Sequence, residues 1–237
     1  MERIRASLFL VVIHSCMGEI AENISRLREM IPGDVTVVAV SKTKPVEAIL
    51  EAYNTGQRIF GENRVQEMVD KQPVLPADIE WHMIGHLQRN KVKFIAPFVS
   101  MIHSADSLRL VNTINSEAAR AGRIIKCLLQ FHIALEETKF GLDLEEASGI
   151  IAEYLNGDLK NVEICGVMGM ATYTEDMERV RGEFRYLKQC FDSLKELYFK
   201  EDKRFDRISM GMSGDFPVAI EEGSNVIRIG SSIFGER

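Results

Sequence analysis

The chain has 237 residues, 46% hydrophobic and 27% charged, with four cysteines and a formal net charge of −6. That is ordinary globular composition with enough chain for a sizeable core, and its mild acidity gives no general pull toward nucleic acid or an anionic membrane. Cys16, Cys127, Cys165 and Cys190 form no CxxC pair and no His/Cys cluster with metal spacing, which points to a reducing, cytoplasmic setting. The first apolar run, Leu8 to Ile13, is too short to span a bilayer and lacks a small-residue cleavage site. Residues 1–16 read as an extension without a structural role, and residues 17–237 as a single domain. "MGEIAENISRLREMIPG" then opens an amphipathic helix, with Ile20, Ile24, Leu27 and Met30 on one face and Pro32-Gly33 as its stop.

From there short Val/Ile/Phe-rich runs alternate with helical patterns. The predicted strands are 36–41, 58–60, 80–84, 98–103, 125–131, 163–168, 207–210 and 226–229. The clearest predicted helix begins near Thr174, with Val180, Phe184, Leu187, Phe191, Leu194 and Tyr198 spaced by three and four. Gly122 and Gly223 read as helix C-caps. Near-continuous apolar strands joined by helices predict a parallel sheet buried on both faces. Eight such units predict an α/β fold of the (β/α)8 TIM barrel class, preceded by the N-terminal helix. An open doubly wound sheet is the rival, but no G-x-G-x-x-G follows the first strand.

In such a barrel the function sits at the C-terminal ends of the strands. Lys42 ends the first strand, "VTVVAVSK", where a buried run meets an amine. Asn63 follows the second strand. Ser213 lies in "SMGMSGD" after the seventh, and Arg228, Gly230 and Ser231 lie in "RIGSS" at the eighth. The last two loops, rich in glycine and small hydroxyls, suit a phosphate, with 231–234 as a short extra helix. Each residue also has a plainer reading. Asn63 and Gln66 form a capping pair on paper, and Ser213 or Asp215 a cap for the helix that Pro217 starts. Asp215 also brings negative charge toward any phosphate. His82 reads as a hydrogen-bonded core histidine, and Met168, Met170, Met210 and Met212 as core filling. Arg228 is harder to dismiss, because a guanidinium in a buried strand needs a partner. A lysine, an arginine and a phosphate site together suggest pyridoxal 5′-phosphate (PLP), one among several phosphate ligands of barrels. A PLP-independent enzyme acting on a sugar phosphate is another reading of the same loops.

The motif series "AVSKTKP", "FGENRVQE", "WHMIGHLQRNK", "HSADS", "ETKFG", "GVMGMATY", "SMGMSGDFPVAI" and "VIRIGSSIFG" resembles that of the pyridoxal phosphate homeostasis protein family. That family is similar in fold to the N-terminal barrel of alanine racemase. The resemblance runs in order from Met17 to Gly235. It implies a PLP-binding barrel that buffers and supplies PLP without catalysis of its own. By motif position Lys42 would be the Schiff-base lysine and Arg228 would face the pyridine nitrogen. Ser213, Gly230 and Ser231 would hold the phosphate, with Asn63 nearby. Burial and the Arg228 charge would lower the Lys42 pKa. "LLQFHIALEETKFG" departs from the pattern at Phe131-His132, where the family has valine and asparagine, on the substrate side of the pocket. The expected partners are PLP and apo PLP-dependent enzymes, with no nucleic acid, membrane or metal, and a monomer is expected. Lys44 reads as a solvated lysine at a helix entry, and Lys44 and Lys139 are candidate relay amines. The competing function is a PLP-dependent amino-acid racemase. It needs a second base opposite Lys42, for which Tyr173 is the candidate near the rim.

Overall fold

The computed structural model of the chain describes residues 18–134 and 140–236. The expected N-terminal extension and Lys139 lie outside the described residues. Eight parallel strands close on themselves in sequence order. They are β1 (Thr36–Val40), β2 (Ile59–Glu62), β3 (Glu80–Met83), β4 (Met101–Ala105), β5 (Ile125–Gln130), β6 (Val162–Met168), β7 (Arg207–Ser209) and β8 (Val226–Ile229). The (β/α)8 reading holds.

The helices are α1 (Glu19–Met30), α2 (Val46–Asn54), α3 (Val65–Lys71), α4 (Val92–Ile95), α5 (Leu108–Arg120), α6 (Leu144–Leu155), α7 (Met177–Tyr198), α8 (Phe216–Glu221) and α9 (Ser231–Phe234). Their starts follow side-chain chemistry. Ser107 accepts the Leu110 N–H at the head of α5. Asp143 and Glu146 form a reciprocal capping box on α6, and Asp176 caps α7. The helix expected near Thr174 therefore begins later, because Thr174 Oγ1 accepts the Asp176 N–H ahead of the cap. The expected glycine stops are present, with positive φ at Gly122 and Gly223.

Most of the core lies between strands and helices, from Ile49 and Phe60 through Ile102 and Ile151 to Phe184 and Ile229. Two smaller clusters pack separately. Val38, Val40, Ile84 and Val226 form one; Met101, Leu128, Cys165 and Met168 form the other. These residues fill the barrel lumen as layers of side chains. Cys127, Cys165 and Cys190 are buried free thiols, as expected. Burial pushes the Cys165 thiol up to about 12.

Two expectations fail locally. The fourth strand starts at Met101 rather than Phe98, because α4 runs into a turn in which Phe98 N–H donates to Ile95 O. On α1, Ala21, Ile24 and Leu27 are buried while Met30, in the last turn, is exposed. Among the described residues no helix is long and apolar enough to cross a membrane.

Candidate functional site

The C-terminal mouth of the barrel opens into a cavity of about 520 Å3. Its wall contains Lys42, Asn63, Ser213, Arg228, Gly230 and Ser231. Strands β1, β2, β7 and β8 deliver these six residues from distant parts of the sequence. Met170, Thr172, Tyr173 and Met212 line the same cavity.

Lys42 lies two residues beyond the last residue of β1, so it belongs to the loop and not to the strand. The loop is held on both sides of it. Ser41 Oγ donates to Glu62 Oε1 at 2.7 Å, and Thr43 N–H donates to Glu67 Oε2 at 2.7 Å. Lys71 Nζ joins the two carboxylates, lying 2.7 Å from Glu62 Oε1 and 3.4 Å from Glu67 Oε2, and also donates to Ser41 O at 2.9 Å. Thr43 sits at φ 63°, a left-handed conformation that costs about 1 kcal/mol and needs surroundings that enforce it. The Glu62–Lys71–Glu67 clamp supplies them and so fixes where the Lys42 side chain starts. Burial raises the Glu62 pKa, against the bonds from Lys71 and Ser41.

Lys71→Met leaves the Glu62 carboxylate buried without its cation. We expect a loss of about 3 kcal/mol in urea unfolding at neutral pH. The folded-state Glu62 pKa, already raised, rises further, so the loss shrinks as pH falls through it. Adding Glu62→Gln should restore part of the stability. An unchanged midpoint in the single variant would show that the clamp is idle.

Arg228 is buried on β8. Its Nη1 donates to Ser209 Oγ at 2.7 Å and its Nη2 to Gly169 O at 3.0 Å. These bonds answer the need for a partner while leaving other guanidinium N–H groups for an acceptor in the cavity. Burial lowers its pKa to about 10, with Asp215 opposing, so it stays charged at neutral pH. On the cradle side, Gly230 N–H and Ser232 N–H both point at Ser213 Oγ, at 3.3 and 3.4 Å. The hydroxyl oxygen occupies a place that an anion's oxygen would suit. Asp215 turns its carboxylate back to accept the Met212 N–H. Burial raises its pKa, with the Met212 bond and Arg228 working the other way.

Several plainer readings do not survive. Asn63 does not cap α3, whose N-cap is Arg64 without a side-chain bond, and Gln66 donates to Asp70 instead. Asn63 Oδ1 is buried and has no hydrogen-bond partner among the described residues. Neither Ser213 nor Asp215 caps α8 through its side chain. Lys44 stands at a helix entry as expected, but it is half-buried and its amine is engaged rather than free in solvent. Its Nζ reaches Phe234 O at 2.9 Å and Gly235 O at 3.3 Å, tying the end of α9 to the first loop. Met212 is partly exposed on the cavity wall, unlike the core methionines Met168 and Met210.

A family model described as the alanine racemase N-terminal domain matches residues 16–237. The pyridoxal phosphate homeostasis protein of Aquifex aeolicus is 41% identical over 202 residues, covering 85% of this chain and 86% of that relative. Its human namesake is 40% identical over 212 residues, covering 85% of this chain and 76% of the relative. The chain belongs to the pyridoxal phosphate homeostasis protein family. PipY of Synechococcus elongatus PCC7942, solved with PLP bound, superposes with a TM-score of 0.81 at 36% identity, over 92% of this chain and all of that one. Within this family chain, sequence reasoning missed Glu62, Glu67 and Lys71. The signal was available: Glu62 ends a buried strand in "RIFGEN", and the argument that flagged Arg228 applies equally to it.

Proposed function

We propose that this chain binds PLP in the mouth cavity and serves PLP homeostasis as a carrier that holds, buffers and supplies it. The observation that carries the proposal is the single cavity that gathers Lys42, Arg228, Ser213, Gly230 and Ser231. The fit is supported by the orphaned Asn63 Oδ1 and by the two backbone N–H groups that converge on Ser213 Oγ. Bound there, PLP supplies an aldehyde that condenses reversibly with a primary amine. Lys42 provides that amine from a loop pinned on both sides. Arg228 only donates, so an acceptor nitrogen facing it stays unprotonated, which disfavours electron-sink chemistry. Gly230, Ser231 and Ser213 offer backbone N–H and hydroxyl groups to a phosphate, and Asn63 borders the same space.

The racemase reading needs a second base held on the far side of a substrate. Tyr173 reaches the cavity wall but is 98% exposed, so packing does not fix it opposite Lys42. An open mouth with an unheld tyrosine favours exchange of the bound group over catalysis. The test has two arms. PLP-loaded protein should restore activity to an apo PLP enzyme. Incubated with each enantiomer of common amino acids in deuterated water, it should show no sustained incorporation at Cα. Multiple-turnover incorporation that Lys42→Ala abolishes would overturn the carrier reading in favour of a racemase.

A further inference from the structure

The polar contacts of Arg228 do not stop at Ser209. Ser209 Oγ lies 3.0 Å from His103 Nδ1, and His103 Nε2 lies 3.0 Å from His82 Nδ1. Arg228, Ser209, His103 and His82 belong to β8, β7, β4 and β3 and are all buried, so this chain of bonds crosses the lumen. Burial holds both imidazoles neutral: His82 is lowered to about 3, with the Lys126 and Arg207 charges adding to the effect, and His103 lies well below its ordinary value.

Counting protons along the chain fixes its direction. Arg228 can only donate, so Ser209 Oγ accepts from it. Among the described residues the Ser209 hydroxyl proton then has one acceptor, His103 Nδ1. A neutral His103 whose Nδ1 accepts carries its proton on Nε2 and gives it to His82 Nδ1. A neutral His82 must therefore carry its own proton on Nε2. The opposite order would leave the Ser209 hydroxyl buried without an acceptor, at a cost of about 1–3 kcal/mol.

His82 lines a second cavity, of about 310 Å3, at the N-terminal end of the barrel. Arg123, Lys126 and Arg207 share that wall with Thr36, Ser100 and a single carboxylate, Glu80. Opposing charge is nearby: Asp206 Oδ1 takes Arg207 Nε at 3.2 Å, and Glu163 pairs in register with Lys126. Arg207 Nη1 also reaches Thr36 Oγ1 at 3.3 Å, and Arg123 Nη1 donates to Ala96 O. Lys126 is exposed and has no ion pair within 4.0 Å among the described residues.

We propose that this lower cavity is a phosphate-type oxyanion site, in which the His82 Nε2–H, Lys126 and Arg207 converge on the ligand. An occupant accepting from His82 completes the proton order that begins at Arg228, giving the last N–H of the chain an acceptor. The site does not depend on what the mouth binds.

The test uses the full chain labelled with 15N in its histidine rings. Imidazole spectra are recorded while inorganic phosphate, or chloride at matched ionic strength, is added. The expected result is a proton on Nε2 of both His82 and His103, and a saturable shift of the His82 Nε2 resonance with phosphate alone. Lys126→Met, a change at an exposed side chain, should abolish the shift while the fold is kept. The site is overturned if His82 does not move, or if it carries its proton on Nδ1. It is equally overturned if chloride moves His82 as much, which is screening, or if Lys126→Met retains the shift, which places the phosphate at the mouth.

Discussion

Gly166→Ala is expected to destabilise the protein by about 4 kcal/mol. Gly166 has φ 152°, a conformation that side chains rarely adopt, and a Cβ built on it would run into the carbonyl of Arg207. It sits where the β5–β6 register shifts, between the Cys127–Ile164 and Leu128–Gly166 pairs, and it pairs with Arg207 of β7. The extra residue in β6 is a bulge, and glycine there lets β7 approach. Relief would have to come from moving β7, which carries Ser209 and so the support of Arg228. Urea unfolding measures the loss. A change under about 1 kcal/mol would mean that the strands relax freely around the new methyl.

The second large effect concerns the phosphate. Ser213→Ala combined with Gly230→Ala is expected to weaken PLP about 30-fold, or about 2 kcal/mol, while pyridoxal changes little. A Cβ at Gly230 meets Val40 at 3.5 Å, an ordinary contact, so the protein itself tolerates the methyl. What the methyl restricts is the approach of an anion to the backbone N–H groups beside it. Removing the Ser213 hydroxyl takes away the oxygen on which two of those groups now converge. Equilibrium titration with both ligands separates the cases. Equal weakening of PLP and pyridoxal would place the phosphate elsewhere.

The barrel was legible because its strands are buried on both faces and so appear as short apolar runs between amphipathic helices. All eight appear where expected, with ends displaced by a few residues. The exception, Phe98, belongs to a one-turn helix and its exit, too short to show a helical period. Lys42, Arg228 and the Gly230-Ser231 pair could be picked out because charge or glycine at the end of an apolar strand needs a reason. Asn63 was ambiguous, since Asn-x-x-Gln spacing is also that of a cap, and spacing does not tell whether a side chain faces a helix or a lumen. Lys44 went astray for a related cause. Its partners are carbonyls at residues 234–236, and no local pattern records a contact with the far end of the chain. The His82–His103–Ser209 chain was invisible for the same reason: it joins three strands across the lumen, and each residue alone reads as ordinary core.

The amine that takes up PLP in the mouth cavity is expected to be that of Lys42. The most direct measurement is borohydride reduction of the PLP-loaded protein, followed by peptide mass mapping with fragmentation that separates Lys42 from Lys44. The expected result is a stoichiometric pyridoxyl adduct on Lys42, and its loss in a Lys42→Ala protein that unfolds at the same urea concentration as the parent. A stoichiometric adduct on another lysine, with Lys42 unmodified, would contradict it.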